Sequence, residues 1–134
     1  MEFISAEEFL KQEGKVQKVF LDWWKPSVGD LYKWISNSTF EDVQVLNKSA
    51  IDTFKYDEFI NFKKDCIPLL AEGQLRKYIE DNTNCHIEII VGISGYVFVL
   101  RSKETLKEEK RISVLKCDLL QAYWKVAIQI AESN

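Results

Sequence analysis

The chain has 134 residues, 46% of them hydrophobic and 29% charged, with a formal net charge of −3. That length and balance suit a folded domain with a real core and exclude a disordered chain. The mild negative charge argues against general nucleic-acid binding, which needs an excess of phosphate-neutralising Lys and Arg, and is too small for an acidic DNA mimic.

The run Ser5-Ala6-Glu7-Glu8 has the form of a capping box, with Ile4 and Phe9 at the positions of a hydrophobic staple. It predicts a first helix from Ser5 that ends or bends at Gly14. Val16, Val19, Phe20 and Trp23 follow helical spacing and predict a second helix over 15–24, stopped by Pro26. Gly29-Asp30 then turns the chain into strands at 31–36 and 40–46, joined by a hairpin loop at Asn37-Ser38-Thr39. A third strand is expected over 50–56, and 57–65 fits either a strand or a short helical turn. Pro68 is expected to open the next unit, with a helix over 71–82 presenting Leu75, Tyr78 and Ile79 on one face.

Residues 85–91 alternate as a strand, with Ile87, Ile89 and Val91 on one side and His86, Glu88 and Ile90 on the other. Gly92-Ile93-Ser94-Gly95 suits a tight reversal into a strand over 96–102. A charged loop at 105–110 leads to a last strand over 111–115. The final helix covers 118–132, with Leu119, Leu120, Tyr123, Val126, Ala127, Ile130 and Ala131 as its inward stripe. The expected fold class is α+β: an antiparallel sheet of about five to six strands with helices packed mainly on one face, in a single domain over 1–134.

The N-terminus is acidic and lacks the apolar core of a signal peptide. No apolar run approaches the ~18 residues of a membrane span. Three widely spaced cysteines give no disulfide framework, so a cytoplasmic protein without membrane contact is expected. The only histidine, His86, adjoins Cys85, but strand neighbours face opposite ways and chelate poorly together. No CxxC, HExxH, DxDxDG, GxSxG, GxGxxG or P-loop spacing occurs, so neither a metal nor a cofactor is expected. A thiol–imidazole dyad of Cys66 or Cys117 with His86 stays open, because such partners meet in space.

Four Trp, five Tyr and eight Phe exceed what a core of this size needs, and Trp and Tyr dominate binding hot spots. Three motifs stand out. In Asp22-Trp23-Trp24-Lys25-Pro26, adjacent helical residues lie about 100° apart, so only one tryptophan can sit squarely in the core. The pair is either hinge packing around Pro26 or a Trp23/Trp24 platform with Lys25 beside it. In Glu72-Gly73-Gln74-Leu75-Arg76-Lys77, a helix start with Arg76 and Lys77 a turn inside is either a capped helix or a phosphate site. In 118–125, Gln121, Trp124 and Lys125 share a face beside Tyr123, which is either docked within the chain, a homo-oligomer seam or a partner surface.

The segments DWWKPSVGDLY, IPLLAEGQLRKYIEDNTNCHIEI and DLLQAYWKVAIQIAE resemble a group of small proteins encoded by clostridial and related Firmicute phages and prophages, where they occur in the same order. The resemblance spans most of the chain and carries over no catalytic residues. The family has Ser or Thr where this chain has Ala71, which implies the loss here of a side-chain cap worth about 1 kcal/mol. It also implies a context, since small accessory phage proteins bind and block host components, immune systems included.

These readings converge on a phage-encoded, non-catalytic binding protein acting against host defence. In its concrete form it sequesters a small nucleotide-type signal in a pocket, either within one chain or at a homo-oligomer interface. Aromatic faces would stack a base while cations hold phosphate, with Trp23, Trp24, Lys25, Arg76, Lys77, Tyr123 and Trp124 as the candidate residues. The alternatives are a protein–protein inhibitor of a host component, anti-CRISPR-like or blocking a host enzyme, and a phage accessory protein. Against a hydrolase or nuclease stands the absence of the usual constellations.

Overall fold

The computed structural model describes residues 2–35, 43–53 and 62–134. They fall into two compact units, Ser5–Leu70 and the C-terminal Ala71–Asn134 joined by residues 2–4.

The N-terminal unit begins with α1 (Ala6–Leu10), where Ser5 Oγ accepts the Glu8 amide at 3.1 Å, one half of the expected capping box. Helix α2 (Gly14–Trp23) buries Val16 and Phe20, and Phe20 packs against Phe9 with ring centroids 6.3 Å apart. Strands β1 (Leu31–Trp34), β2 (Gln44–Val45) and β3 (Cys66–Pro68) form an antiparallel sheet in the order β2-β1-β3. Its core gathers Trp24, Tyr32, Leu46, Phe62 and Cys66. The Phe62 ring meets Tyr32 edge-on at 4.9 Å and Trp34 at 5.4 Å.

The link from α2 to β1 is tied down by backbone bonds. Gly29, at φ +92°, sits in a conformation that favours glycine. Its amide donates to the Leu46 carbonyl at 2.8 Å, and the Leu46 amide returns a bond to the Asp30 carbonyl at 2.9 Å.

The C-terminal unit contains α4 (Glu72–Thr83), β4 (Cys85–Val91), β5 (Gly95–Ser102), β6 (Glu108–Leu115) and α5 (Leu119–Glu132), with α3 (Lys48–Thr53) lying earlier, in the N-terminal unit. Asn84 closes α4 in the left-handed conformation at φ 52°, which asparagine tolerates. The three strands form an antiparallel meander, β4-β5-β6. Ile87, Phe98, Leu100, Ile112 and Val114 are buried on one face. The Tyr123 ring of α5 meets Phe98 edge-on at 5.1 Å, which places α5 on that face. Asp118 caps α5 by accepting the Gln121 amide at 2.9 Å.

The fold is α+β, but a single sheet of five to six strands is not what forms: the strands divide into two three-stranded sheets. The strand expected over 50–56 is helical in its described part, where α3 starts with the Ala50 amide donating to Asn47 Oδ1 at 2.8 Å. Of 57–65, residues 62–64 are helical and 57–61 lie outside the described residues, as does the expected loop 37–39. Pro68, expected to open the next unit, instead ends β3, an edge strand among the described strands, where its missing N–H costs no interior ladder bond. Glu108–Lys110, expected in a loop, extend β6.

Ala71 is the N-cap of α4 and makes no side-chain bond there; only the reciprocal half of a capping box exists, Gln74 Oε1 accepting the Ala71 amide at 2.9 Å. Ala71→Ser is therefore expected to raise stability by about 1 kcal/mol, read as an upward shift of the urea midpoint. An unchanged midpoint would show that the first-turn amides of α4 gain nothing from a side-chain acceptor.

Candidate functional site

A cleft of about 940 Å³ opens along one face of α2 in the N-terminal unit. Gly14, Gln17, Lys18, Leu21 and Asp22 line one wall, at the three-, four- and seven-residue spacing that gives a helix a single face, and Lys25 follows just beyond the helix end. Val16 and Phe20 occupy the buried side of the same helix. Trp24 and Pro26 close the wall beyond the helix end, and Lys63 and Lys64, from the helical turn at 62–64, stand on the other side. The volume lies within the range of small-molecule sites.

The electrostatics are one-sided. Among the described residues four lysines, Lys18, Lys25, Lys63 and Lys64, border the cleft against one carboxylate, Asp22, which is ion-paired with Lys18. Lys25 and Lys64 are exposed, while Lys63 is half-buried and its Nζ donates to the Leu21 carbonyl at 2.6 Å. Burial holds the Lys63 ammonium below the ordinary lysine value; Lys25 pushes the same way, and Asp22 and Cys66 oppose it. Leu21, Trp24, Pro26 and the lysine stems supply an apolar bed.

Among the seven residues expected at a site, the cleft brings Trp24 and Lys25 together. Trp24 is only 1% exposed, so it is not an open stacking platform. Its Nε1 donates to Asp30 Oδ2 at 2.9 Å, and its ring tilts against Phe62 at 5.8 Å. Trp23 is half-buried and packs against the same core. The hinge-packing reading of the tryptophan pair describes both side chains.

The other four belong to the C-terminal unit. Arg76 pairs with Glu80 at 3.6 Å and Lys77 with Asp81 at 3.1 Å, each one turn along α4. The hollow at the start of α4, about 430 Å³, is bordered by Glu2 and Glu72. Two carboxylates beside the helix N-terminus oppose the phosphate expected there. Tyr123 and Trp124 are buried, Trp124 at 3% exposure, so neither presents a free surface. Burial raises the Tyr123 hydroxyl, with the Arg76 guanidinium working the other way.

Cys66 and Cys85 are held toward the protonated thiol. Burial and then Asp65 push Cys66 up to about 12, which leaves it protonated and a poor nucleophile. Burial likewise raises Cys85, whose thiol donates to Glu109 Oε2 at 3.3 Å. Among the described residues no three His, Cys, Asp or Glu side chains are placed to hold a metal ion. No helix among them is long and apolar enough to cross a membrane.

Comparison with family models, curated proteins and solved structures gives no match. The cleft thus stands on its own geometry. Lys18, Leu21, Lys63 and Lys64 were not among the expected site residues. The spacing of Lys18, Leu21 and Asp22 on one helix face was a readable signal. Lys63 and Lys64 had none, because they lie within 57–65, the stretch whose hydrophobic pattern fits strand and helix alike.

Proposed function

We propose that this chain is a non-catalytic binding protein whose α2 cleft holds a small anionic ligand with an apolar or planar body. A nucleotide-type signal has that chemistry. The observation that carries the reading is the set of four lysines lining the cleft beside an apolar bed, with Asp22, the one lining carboxylate among the described residues, ion-paired with Lys18. Phosphate oxygens would lie against Lys25 and Lys64, and a base or other flat group would lie along Leu21 and Pro26. In a phage-encoded accessory protein, such a site would sequester a host signal.

A thermal-unfolding screen against nucleotides, including cyclic dinucleotides and ADP-ribose derivatives, tests this. A ligand at 100 times its dissociation constant adds about 2.7 kcal/mol to folded-state stability. The expected result is a clear upward shift for one compound class. In Lys25→Glu and Lys64→Glu, affinity is expected to fall at least about tenfold, since charges 4 Å apart near a protein surface interact by roughly 1–4 kcal/mol. A flat response across the panel, or unchanged affinity in both variants, would remove the nucleotide reading.

A second reading, a protein–protein inhibitor, draws on a different place. Ile90, Val91, Ile93 and Leu115 are exposed at the β4–β5 turn end of the C-terminal sheet, Val91 at 75%. The Lys116 amide bonds the Ser94 carbonyl at 2.9 Å, which joins the turn to the end of β6. Apolar groups gathered in this way suit a contact surface. Ile93→Asp abolishing a complex with a host protein, while leaving ligand-induced shifts intact, would favour this reading over the first.

A further inference from the structure

We infer that Lys63 forms reversible imines, so that the cleft captures small aldehydes and ketones that carry an anionic group. This rests on the anion-binding reading of the same cleft and adds a covalent contact to it.

The geometry places a half-buried amine in a cleft whose other described lining residues are the apolar Leu21, Trp24 and Pro26, the exposed cations Lys18, Lys25 and Lys64, the ion-paired Asp22, and Gln17 and Gly14. Lys63 Nζ is held by the Leu21 carbonyl, in the last turn of α2, where carbonyls lack intrahelical partners. An ammonium has three donors and no lone pair. A neutral amine can keep one N–H on the Leu21 carbonyl and turn its lone pair toward the cleft. Desolvation beside a second cation is the setting that leaves a lysine neutral and nucleophilic; here burial is the largest influence and favours the neutral form, Lys25 adds to it, and Asp22 and Cys66 oppose it. Lys25 and Lys64 would hold the anionic group of the same ligand.

The step is balanced without any oxidant or reductant. The Lys63 nitrogen attacks the carbonyl carbon as the C=O π bond opens onto oxygen. A proton passes from nitrogen to that oxygen through solvent. A second proton from solvent then lets the nitrogen lone pair expel the oxygen as water, and the resulting iminium N–H returns a proton to solvent, leaving the C=N bond. Water adds back in the reverse direction to release the ligand and the free amine. The competing role for Lys63 is purely structural, an ammonium that ties the turn at 62–64 to the end of α2.

The full chain is incubated with pyridoxal 5′-phosphate, reduced with borohydride and mapped by mass spectrometry. Lys63 is expected to carry the dominant label. Lys63→Arg, which keeps an N–H donor for the Leu21 carbonyl but removes the nucleophile, is expected to lose it. Pyridoxal without the phosphate is expected to label at least about tenfold less, the factor one modest ion contact provides. Label spread evenly over the exposed lysines, or undiminished labelling of Lys63→Arg, would overturn the inference. Equal labelling by pyridoxal would overturn its anionic part. If nucleotides shift the melting point while Lys63 stays unlabelled, the imine fails and the cleft reading stands. If neither binds, both fail.

Discussion

Trp24→Ala is expected to destabilise the N-terminal unit by about 3–5 kcal/mol, the usual cost of deleting a large buried aromatic side chain. The ring is almost fully enclosed, packs against Phe62 and donates through Nε1 to Asp30 Oδ2. The same carboxylate oxygen accepts the Ser27 amide at 2.9 Å, so the side chain anchors the turn that delivers the chain into β1. With a urea slope of roughly 1–3 kcal/mol/M, the midpoint should fall by at least about 1 M. Asp30→Ala strands a buried indole N–H and is expected to cost about 1–3 kcal/mol. The double variant should cost less than the sum, because both remove one shared interaction. A loss below about 1 kcal/mol in Trp24→Ala would show that the ring does not belong to this core. A loss of ligand affinity in that variant would report unfolding before it reported a binding role. The lysine variants are therefore the proper probes of the cleft.

Gly95→Ala is expected to be the most damaging change in the C-terminal unit. A Cβ built on Gly95 would lie 2.8 Å from Leu115 Cα and closer still to the Val114 carbonyl oxygen. Both are backbone atoms of β6, paired with β5 in the Gly95↔Leu115 register, and cannot rotate aside. Either the first pair of the ladder opens or β6 shifts. Overpacking of this kind costs about 1–3 kcal/mol and occasionally more, so a fall of several degrees in the unfolding midpoint is expected. Hydrogen exchange should locate the loss at the Gly95–Leu115 end of the β5–β6 ladder. Gly73→Ala is the control: it lies in the first turn of α4 with nothing within 4 Å of the added carbon. Helix propensity there predicts no loss and a gain of up to about 1 kcal/mol. Equal effects of the two substitutions would refute the steric account.

The cleft was half legible before any coordinates. Asp22-Trp23-Trp24-Lys25-Pro26 marks the place, and Lys25 lies on it. The reading of Trp24 as an open platform does not survive, because Asp30, six residues along, takes the indole N–H into the turn. The choice between packing and platform depends on that acceptor, and nothing in the spacing of the two tryptophans announces it. Arg76 and Tyr123 stood out for their residue types. Exposure and pairing decided their roles: one is engaged with Glu80 and the other is buried against Phe98.

What the sequence by itself determined is whatever rests on neighbours a few residues away. Ser5 and Asp118 cap their helices, Asn84 ends α4, and the alternation from Cys85 to Val91 assigns each side chain of β4 to its face. Each of these follows from one hydrogen bond or from a period of two or 3.6 residues. Only the tertiary structure decided that there are two sheets, that Pro68 ends a strand, and that Lys63 reaches the end of α2. β1 pairs with Cys66–Pro68, some thirty residues on, through backbone groups that every residue carries. Lys63 meets the Leu21 carbonyl across 42 positions of chain. Such partners leave no local period to read, because backbone pairing and long-range approach are selected by the packing of the whole unit.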